Sequence, residues 1–147
     1  MKIRLMQKSD YEAVYNLWLS CPGVALNTTD DSPEGIGKFL DRNPTSCFVA
    51  ETDDGQVVGV ILGGHDGRRG YLHHAAVALT HRRQGIAAAL THAAEEALKA
   101  EGIVKVNLVA FRANEEGNAF WGGLDYVLRE DLTYWDKELI PFVRVKT

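Results

Sequence analysis

The chain has 147 residues, 46% of them hydrophobic and 24% charged, with a formal net charge of −4. That length suits one domain with its own core, and the composition is that of a soluble globular protein. An acidic balance with no basic stripe beyond one short turn excludes a broad nucleic-acid surface, and no apolar run nears the roughly 20 residues that span a bilayer.

Residues 3–6, Ile-Arg-Leu-Met, read as a first strand with no secretory apolar region before them, which predicts a cytoplasmic protein. Ser9 and Glu12 have capping-box spacing and open a helix on which Tyr11, Val14, Tyr15, Trp18 and Cys21 recur along one face. Cys21-Pro22-Gly23 stops it. Cys21 and Cys47 read as reduced, buried thiols, a disulfide being the alternative. Residues 24–31 are polar and irregular. Ser32-Pro33 then starts a short helix that Gly35 and Gly37 weaken.

Residues 46–51 and 56–62 predict two strands joined at Asp53-Asp54-Gly55, a hairpin signal. Residues 63–67, Gly-Gly-His-Asp-Gly, predict a turn, and residues 71–77 the next strand. A helix over residues 83–101 presents Ile86, Leu90, Ala93, Ala94, Ala97 and Leu98 on one face, and Gly102 is placed to end it. Residues 104–110 alternate as a half-buried strand. Residues 114–122 predict a short helix, and residues 125–129 and 132–137 a final pair of strands. No repeat or linker divides residues 1–147, so one domain is expected.

The most informative stretch is residues 77–90, VALTHRRQGIAAAL. It leaves a strand, crosses a basic turn and enters a helix. His81, Arg82 and Arg83 gather where the helix N-terminus already carries roughly half a positive charge. Cations tolerated there point to a bound anion, and free N–H groups beside small residues form a ready phosphate site. An ordinary glycine-containing helix start is the plainer reading of those residues alone.

Arg82, Gly85 and Ala87 form R-x-x-G-x-A. That spacing resembles the acyl-CoA signature R/Q-x-x-G-x-G/A of the GNAT N-acetyltransferase superfamily. The order of predicted elements matches the family's topology along nearly the whole chain. VVGVILGGHDGRRG before the motif strand and W-x-x-L-D-Y at the last helix are most like the small bacterial YpeA-type members. The resemblance implies an α/β fold: a mixed, mostly antiparallel central sheet of about six to seven strands flanked by about four helices, over residues 1–147 as one GNAT domain.

It also implies acetyl-CoA as co-substrate. Backbone groups of Ala75, Ala76 and Val77 would pair with the pantetheine arm. The amides of Arg82, Arg83, Gln84, Gly85, Ile86, Ala87 and Ala88 would cradle the pyrophosphate, and Asn114 matches a pantetheine-contacting Asn. Residues 24–40 would wall the acceptor site and, with nearby Asp41, carry Asp30, Asp31 and Glu34, although carboxylates near a helix start need no ligand. The expected partner is a small-molecule or peptide amine, with no nucleic acid and no membrane; a homodimer is left open.

Attack by an amine on the thioester needs a deprotonated amine and a donor for the oxyanion. A lysine-like amine at pH 7 is about 3.4 units below its pKa, a deficit of roughly 4–5 kcal/mol. A positioned base lowers that barrier. On an undistorted strand His73 shares a face with Tyr71 and Ala75, and His74 points the other way. That parity makes His73 the candidate base, unless a bulge reverses it; simple packing is the competing role. A backbone N–H near Val77 would receive the oxyanion.

The family's usual acid, a Tyr in the last helix, is matched here by Trp121, whose indole N–H cannot perform that role. Tyr126, or else Tyr71, is the substitute, or the thiolate leaves unaided. Trp121 would then line the pantetheine end. The departure also keeps a second reading open, a CoA-binding sensor or partner-binding module with little turnover. Val109 stands where members acetylating protein N-termini use Glu, which counts against a ribosomal-protein substrate. With neither G-x-x-x-x-G-K-[ST] nor G-x-G-x-x-G, a nucleotide binder is disfavoured, and no metal-ligand spacing is present.

Overall fold

The computed structural model describes residues 1–145. Strand β1 (Lys2–Leu5) leads through a 3-10 turn (Lys8–Asp10) into helix α1 (Tyr11–Ser20). The expected Ser9–Glu12 box does not form. Asp10 instead takes the Gln7 N–H at 2.8 Å, so the helix opens at Tyr11. A short β2 (Leu26–Asn27) precedes α2 (Pro33–Arg42), whose first turn is capped by Ser32 Oγ accepting from the Gly35 N–H at 2.9 Å. Next come β3 (Phe48–Glu51), β4 (Val57–His65), β5 (Gly70–Val77) and the long α3 (Ile86–Ala100). The chain finishes with β6 (Val106–Asn107), α4 (Glu115–Gly123) and β7 (Arg144–Val145).

The seven strands among the described residues divide into a five-stranded sheet, ordered β1-β3-β4-β5-β6, and a two-stranded β2-β7 pair. All pairings are antiparallel except β5 with β6. Helices α1 and α2 cover one face of the larger sheet, where Trp18, Ile36 and Leu40 pack on Val49, Val60 and Leu62. Helix α3 covers the other face, with Ile86, Leu90, Ala94 and Leu98 on Ala50, Ile61 and Leu72. Cys21 and Cys47 are both free and buried. Burial pushes the Cys47 thiol pKa up to about 12, so it is an inert core group.

Two expectations about elements are corrected. Gly63, Gly64 and His65 belong to β4 rather than to a turn, because β3 and α2 lie so close that larger side chains would not fit. A Cβ on Gly63 would stand 2.5 Å from the Ser46 carbonyl oxygen. The hairpin closes later, where Asp66 Oδ1 accepts from the Arg68 and Arg69 N–H groups at 2.8 Å. Residues 125–129 and 132–137 form no strand, and most of their apolar side chains stand in water. Their β-forming composition is left unpaired, and neither sheet takes these residues up as a strand.

Candidate active site

Strand β5 carries the chemistry, and its register is broken in the middle. His73 faces Leu62 and Ala76 faces Val60, so His74 and Ala75 together oppose Ile61. His74 takes a left-handed φ of 53°, as one residue of a bulge does. The period-two alternation therefore fails, and the two imidazoles do not point to opposite faces. Both lie on the α1–α2 side. The His73 ring stacks on Tyr71 at 5.7 Å and meets the Phe39 ring edge-on at 5.8 Å. The His74 ring meets Trp18 at 5.1 Å, and its Nε2 lies 2.8 Å from Asp31 Oδ1.

Asp31 is 4% exposed, and its other oxygen accepts the Asn27 N–H at 2.8 Å. Its backbone carbonyl accepts the Tyr11 hydroxyl at 2.6 Å. By sequence Asp31 is an ordinary charge near a helix start; in the structure it is the fixed partner of His74. No spacing signal could have found this, since the contact spans 43 positions and depends on the bulge. His73 has no such partner. Loss of water around it, then the neighbouring His74, lowers its pKa below the usual imidazole value. Neutral at pH 7, it can accept a proton.

Among the described residues no strand pairs with the second side of β5 beyond Tyr71, because β6 matches only Gly70 and Tyr71. Ala75, Ala76 and Val77 lie in this opened stretch. The turn that follows holds Arg83 at φ 62° and Gly85 at φ 78°, and Gly85 is the N-cap of α3. No side chain caps that helix, unlike α2 and α4. Its first intrahelical bond is from the Ala89 N–H to the Gly85 carbonyl at 3.0 Å, so the N–H groups of Ile86, Ala87 and Ala88 have no helical acceptor. Gln84 and Gly85 are exposed beside them. Arg82 is partly engaged, with Nε 3.4 Å from the Val77 carbonyl oxygen and a guanidinium nitrogen 3.8 Å from Glu116.

Helix α4 sets the far wall. Asn114 is its N-cap, accepting the Gly117 N–H at 3.0 Å, which leaves its Nδ2 as a donor. Trp121 is half-buried against Phe120 and Tyr126 on the α3 side of the sheet. Tyr126 is not brought to the His73 region. Its hydroxyl donates to Glu95 on α3 at 2.7 Å, and burial with that carboxylate holds its pKa well above the ordinary phenol range. A phenol so held is a poor acid.

Comparison with known proteins places this arrangement. A family model described as "Acetyltransferase (GNAT) family" matches residues 11–124. The chain is 34% identical over 140 residues to an acetyltransferase of Sodalis glossinidius, covering 95% of this chain and 96% of that one. Ard1 of Thermoplasma volcanium superposes with a TM-score of 0.76 at 24% identity, over 87% of this chain and 83% of that one. AAC(6')-Iy, solved in complex with the bisubstrate analogue CoA-S-monomethyl-acetylneamine, gives 0.72 at 19% identity, over 93% of this chain and 97% of that one. The chain belongs to the GNAT family. It is an N-acetyltransferase of the bacterial kind within that family.

Proposed function

We propose that this acetyltransferase takes its acetyl group from acetyl-CoA and passes it to a primary amine of a small molecule or peptide by direct attack. The observation that carries the reading is the opened sheet, in which β5 parts from β6 after Tyr71 and leaves one strand edge without a partner. Such an edge binds an extended arm through main-chain hydrogen bonds. The residues fit the group: a strand edge for a pantetheine amide chain leads into a helix start with uncapped N–H groups and no Cβ at Gly85. The bisubstrate analogue in the AAC(6')-Iy structure contains CoA, which supports this on a fold of the same kind.

Acetyl-CoA would supply an acetyl group activated as a thioester. Ala75, Ala76 and Val77 would hold its pantetheine arm. The amides of Arg82, Arg83, Gln84, Gly85, Ile86, Ala87 and Ala88 would bind its diphosphate, each charge-assisted bond worth about 1.5–3 kcal/mol. Asn114 Nδ2 would donate to the arm, and Trp121 would bound its end. His73 would take the proton from the amine, either directly or through water. The Val77 N–H would receive the oxyanion. His74, fixed by Asp31, orients the bulge beside it. Tyr126 supplies no proton, because Glu95 already receives its hydroxyl. Asp30 and Glu34, on the acceptor side, would suit a cationic amine. No helix among the described residues is long and apolar enough to cross a membrane.

Calorimetric titration with acetyl-CoA tests the reading. One-to-one binding in the micromolar range is expected, followed by CoA release when amines are supplied. Absence of binding would assign the basic turn to another anion and overturn the proposal.

A further inference from the structure

The first half of β5 presents a row of side chains whose polar ends the chain itself barely uses. Gly70 faces α3, since a Cβ on it would stand 3.1 Å from Leu98 Cδ1. Leu72 packs in the α3 core as well. Alternation then puts Arg69, Tyr71 and His73 together on the α1–α2 side, ahead of the bulge. Gly64 is the register partner of Tyr71 and has no side chain to cover the ring, so Tyr71 stays 40% exposed. His73 is exposed next to it, and Arg69 is half-buried at the hairpin end.

Among the described residues Arg69 makes one side-chain hydrogen bond, from Nη1 to the Arg68 carbonyl at 3.3 Å, and no ion pair. A guanidinium has further N–H donors to place. Arg4, Arg129 and Arg144 each meet a carboxylate directly. The carboxylate nearest to Arg69 in sequence, Asp66, turns Oδ1 to the Arg68 and Arg69 backbone N–H groups instead. The Tyr71 ring stacks on His73 at 5.7 Å with the planes 8° apart, and its hydroxyl has no hydrogen-bond partner among the described residues. A guanidinium and a phenol therefore stand side by side with donors and no acceptor.

The row also has a direction. The end of β5 beyond the bulge leads into the phosphate turn, so acetyl-CoA comes from that end, and the acceptor extends from His73 the other way, past Tyr71 to Arg69. At about 3.3 Å per residue, Tyr71 and Arg69 lie roughly 7 and 13 Å along the strand from His73. We propose that the acceptor is an amine carrying a carboxylate about 7–13 Å from its nitrogen, a short peptide or an ω-amino acid, with Arg69 and the Tyr71 hydroxyl as donors to that carboxylate. This rests on the acetyl-CoA reading above. A guanidinium pairs with a carboxylate through two parallel hydrogen bonds, and a single guanidinium suits a single negative charge. The net charge of −4 disfavours anions in general, so a preference for an anionic acceptor belongs to this row and not to the whole surface.

Acetylation rates on matched acceptors test this: triglycine against triglycinamide, and ω-aminooctanoate, a chain with the same number of atoms, against its amide. Three extended residues span about 10 Å, and within each pair only the carboxylate changes. A kcat/KM roughly tenfold or more higher for the acid is expected, carried by KM. It should appear in the first pair alone if the site takes peptides, in the second alone if it takes ω-amino acids, and in both if it reads only the spacing. In Arg69→Ala the acid-to-amide ratio should fall to near one. Arg69→Lys should restore part of it by returning the charge without the fork. Calorimetry with acetyl-CoA on the same wild-type protein separates the two levels of the argument. No acetyl-CoA binding overturns the proposed function and the carboxylate site with it. Binding in which acid and amide are acetylated equally, or neither acid is acetylated, overturns the carboxylate site alone. So does an acid preference that Arg69→Ala leaves intact.

Discussion

His73 and His74 are adjacent in sequence, yet their surroundings give them different duties. His74 is held from three directions, by Asp31 at its ring nitrogen, by Trp18 at its ring edge, and by the Trp18 indole N–H on its carbonyl at 2.9 Å. A side chain so fixed positions the backbone around it. His73 is flanked by two aromatic rings but stays exposed at the surface, and partial loss of water with the neighbouring His74 lowers its pKa, leaving it neutral at pH 7, which is the state a base needs before it accepts a proton. His73→Ala is therefore expected to lower kcat/KM by about 100-fold at pH 7. The loss should shrink at pH 9, where more of the amine deprotonates unaided. Pre-steady-state rates at the two pH values check this; an equal loss at both would make His73 a packing residue.

At the scale of elements, the Arg82–Gly85–Ala87 motif and the order of helices were legible because each rests on local residue types. The face assignment on β5 was not, because one left-handed residue at His74 cancels the alternation on which such an assignment depends. The glycines at 63 and 64 misled for a related reason. They serve a close approach, with a Cβ on Gly64 falling 2.7 Å from the Phe39 ring, and distant contacts of this kind leave no local mark. The same holds for the tie between β1, the 3-10 turn and β3. Arg4 reaches Asp10 at 2.8 Å and Glu51 at 2.8 Å, and the Asp10 carboxyl is held below its usual range, chiefly by its hydrogen bond to Arg4. Because the folded pKa lies below the unfolded one, this stability is present above about pH 4 and lost as pH falls through the folded value. Asp10→Asn should cost about 2 kcal/mol at pH 7. Denaturant midpoints should show the gap from wild type narrowing toward pH 3.

At the scale of the molecule, helix α3 links the core to the proposed ligand site. Its apolar face, through Ile86, Leu90, Ala94 and Leu98, anchors the sheet from below. Its N-terminus is left without a capping side chain. A helix end with unsatisfied donors gives up local stability that an anion can restore. Ligand binding is then coupled to the stability of the fold. At acetyl-CoA a hundredfold above its dissociation constant, the folded state should gain about 2.7 kcal/mol. For a chain of this length that is an increase in Tm of roughly 5–10 °C. Gly85→Asp separates the two contributions. The left-handed φ of 78° makes any side chain there strained, by about 1–2 kcal/mol, so the variant's own Tm should fall by a few degrees. No protein atom lies within 4 Å of the added Cβ, so the fold should survive. The carboxylate would sit where the diphosphate belongs, and acetyl-CoA should no longer raise Tm. Thermal melts of both proteins with and without acetyl-CoA read this directly. A variant that keeps the full ligand-induced shift would show that the diphosphate binds elsewhere than at the start of α3.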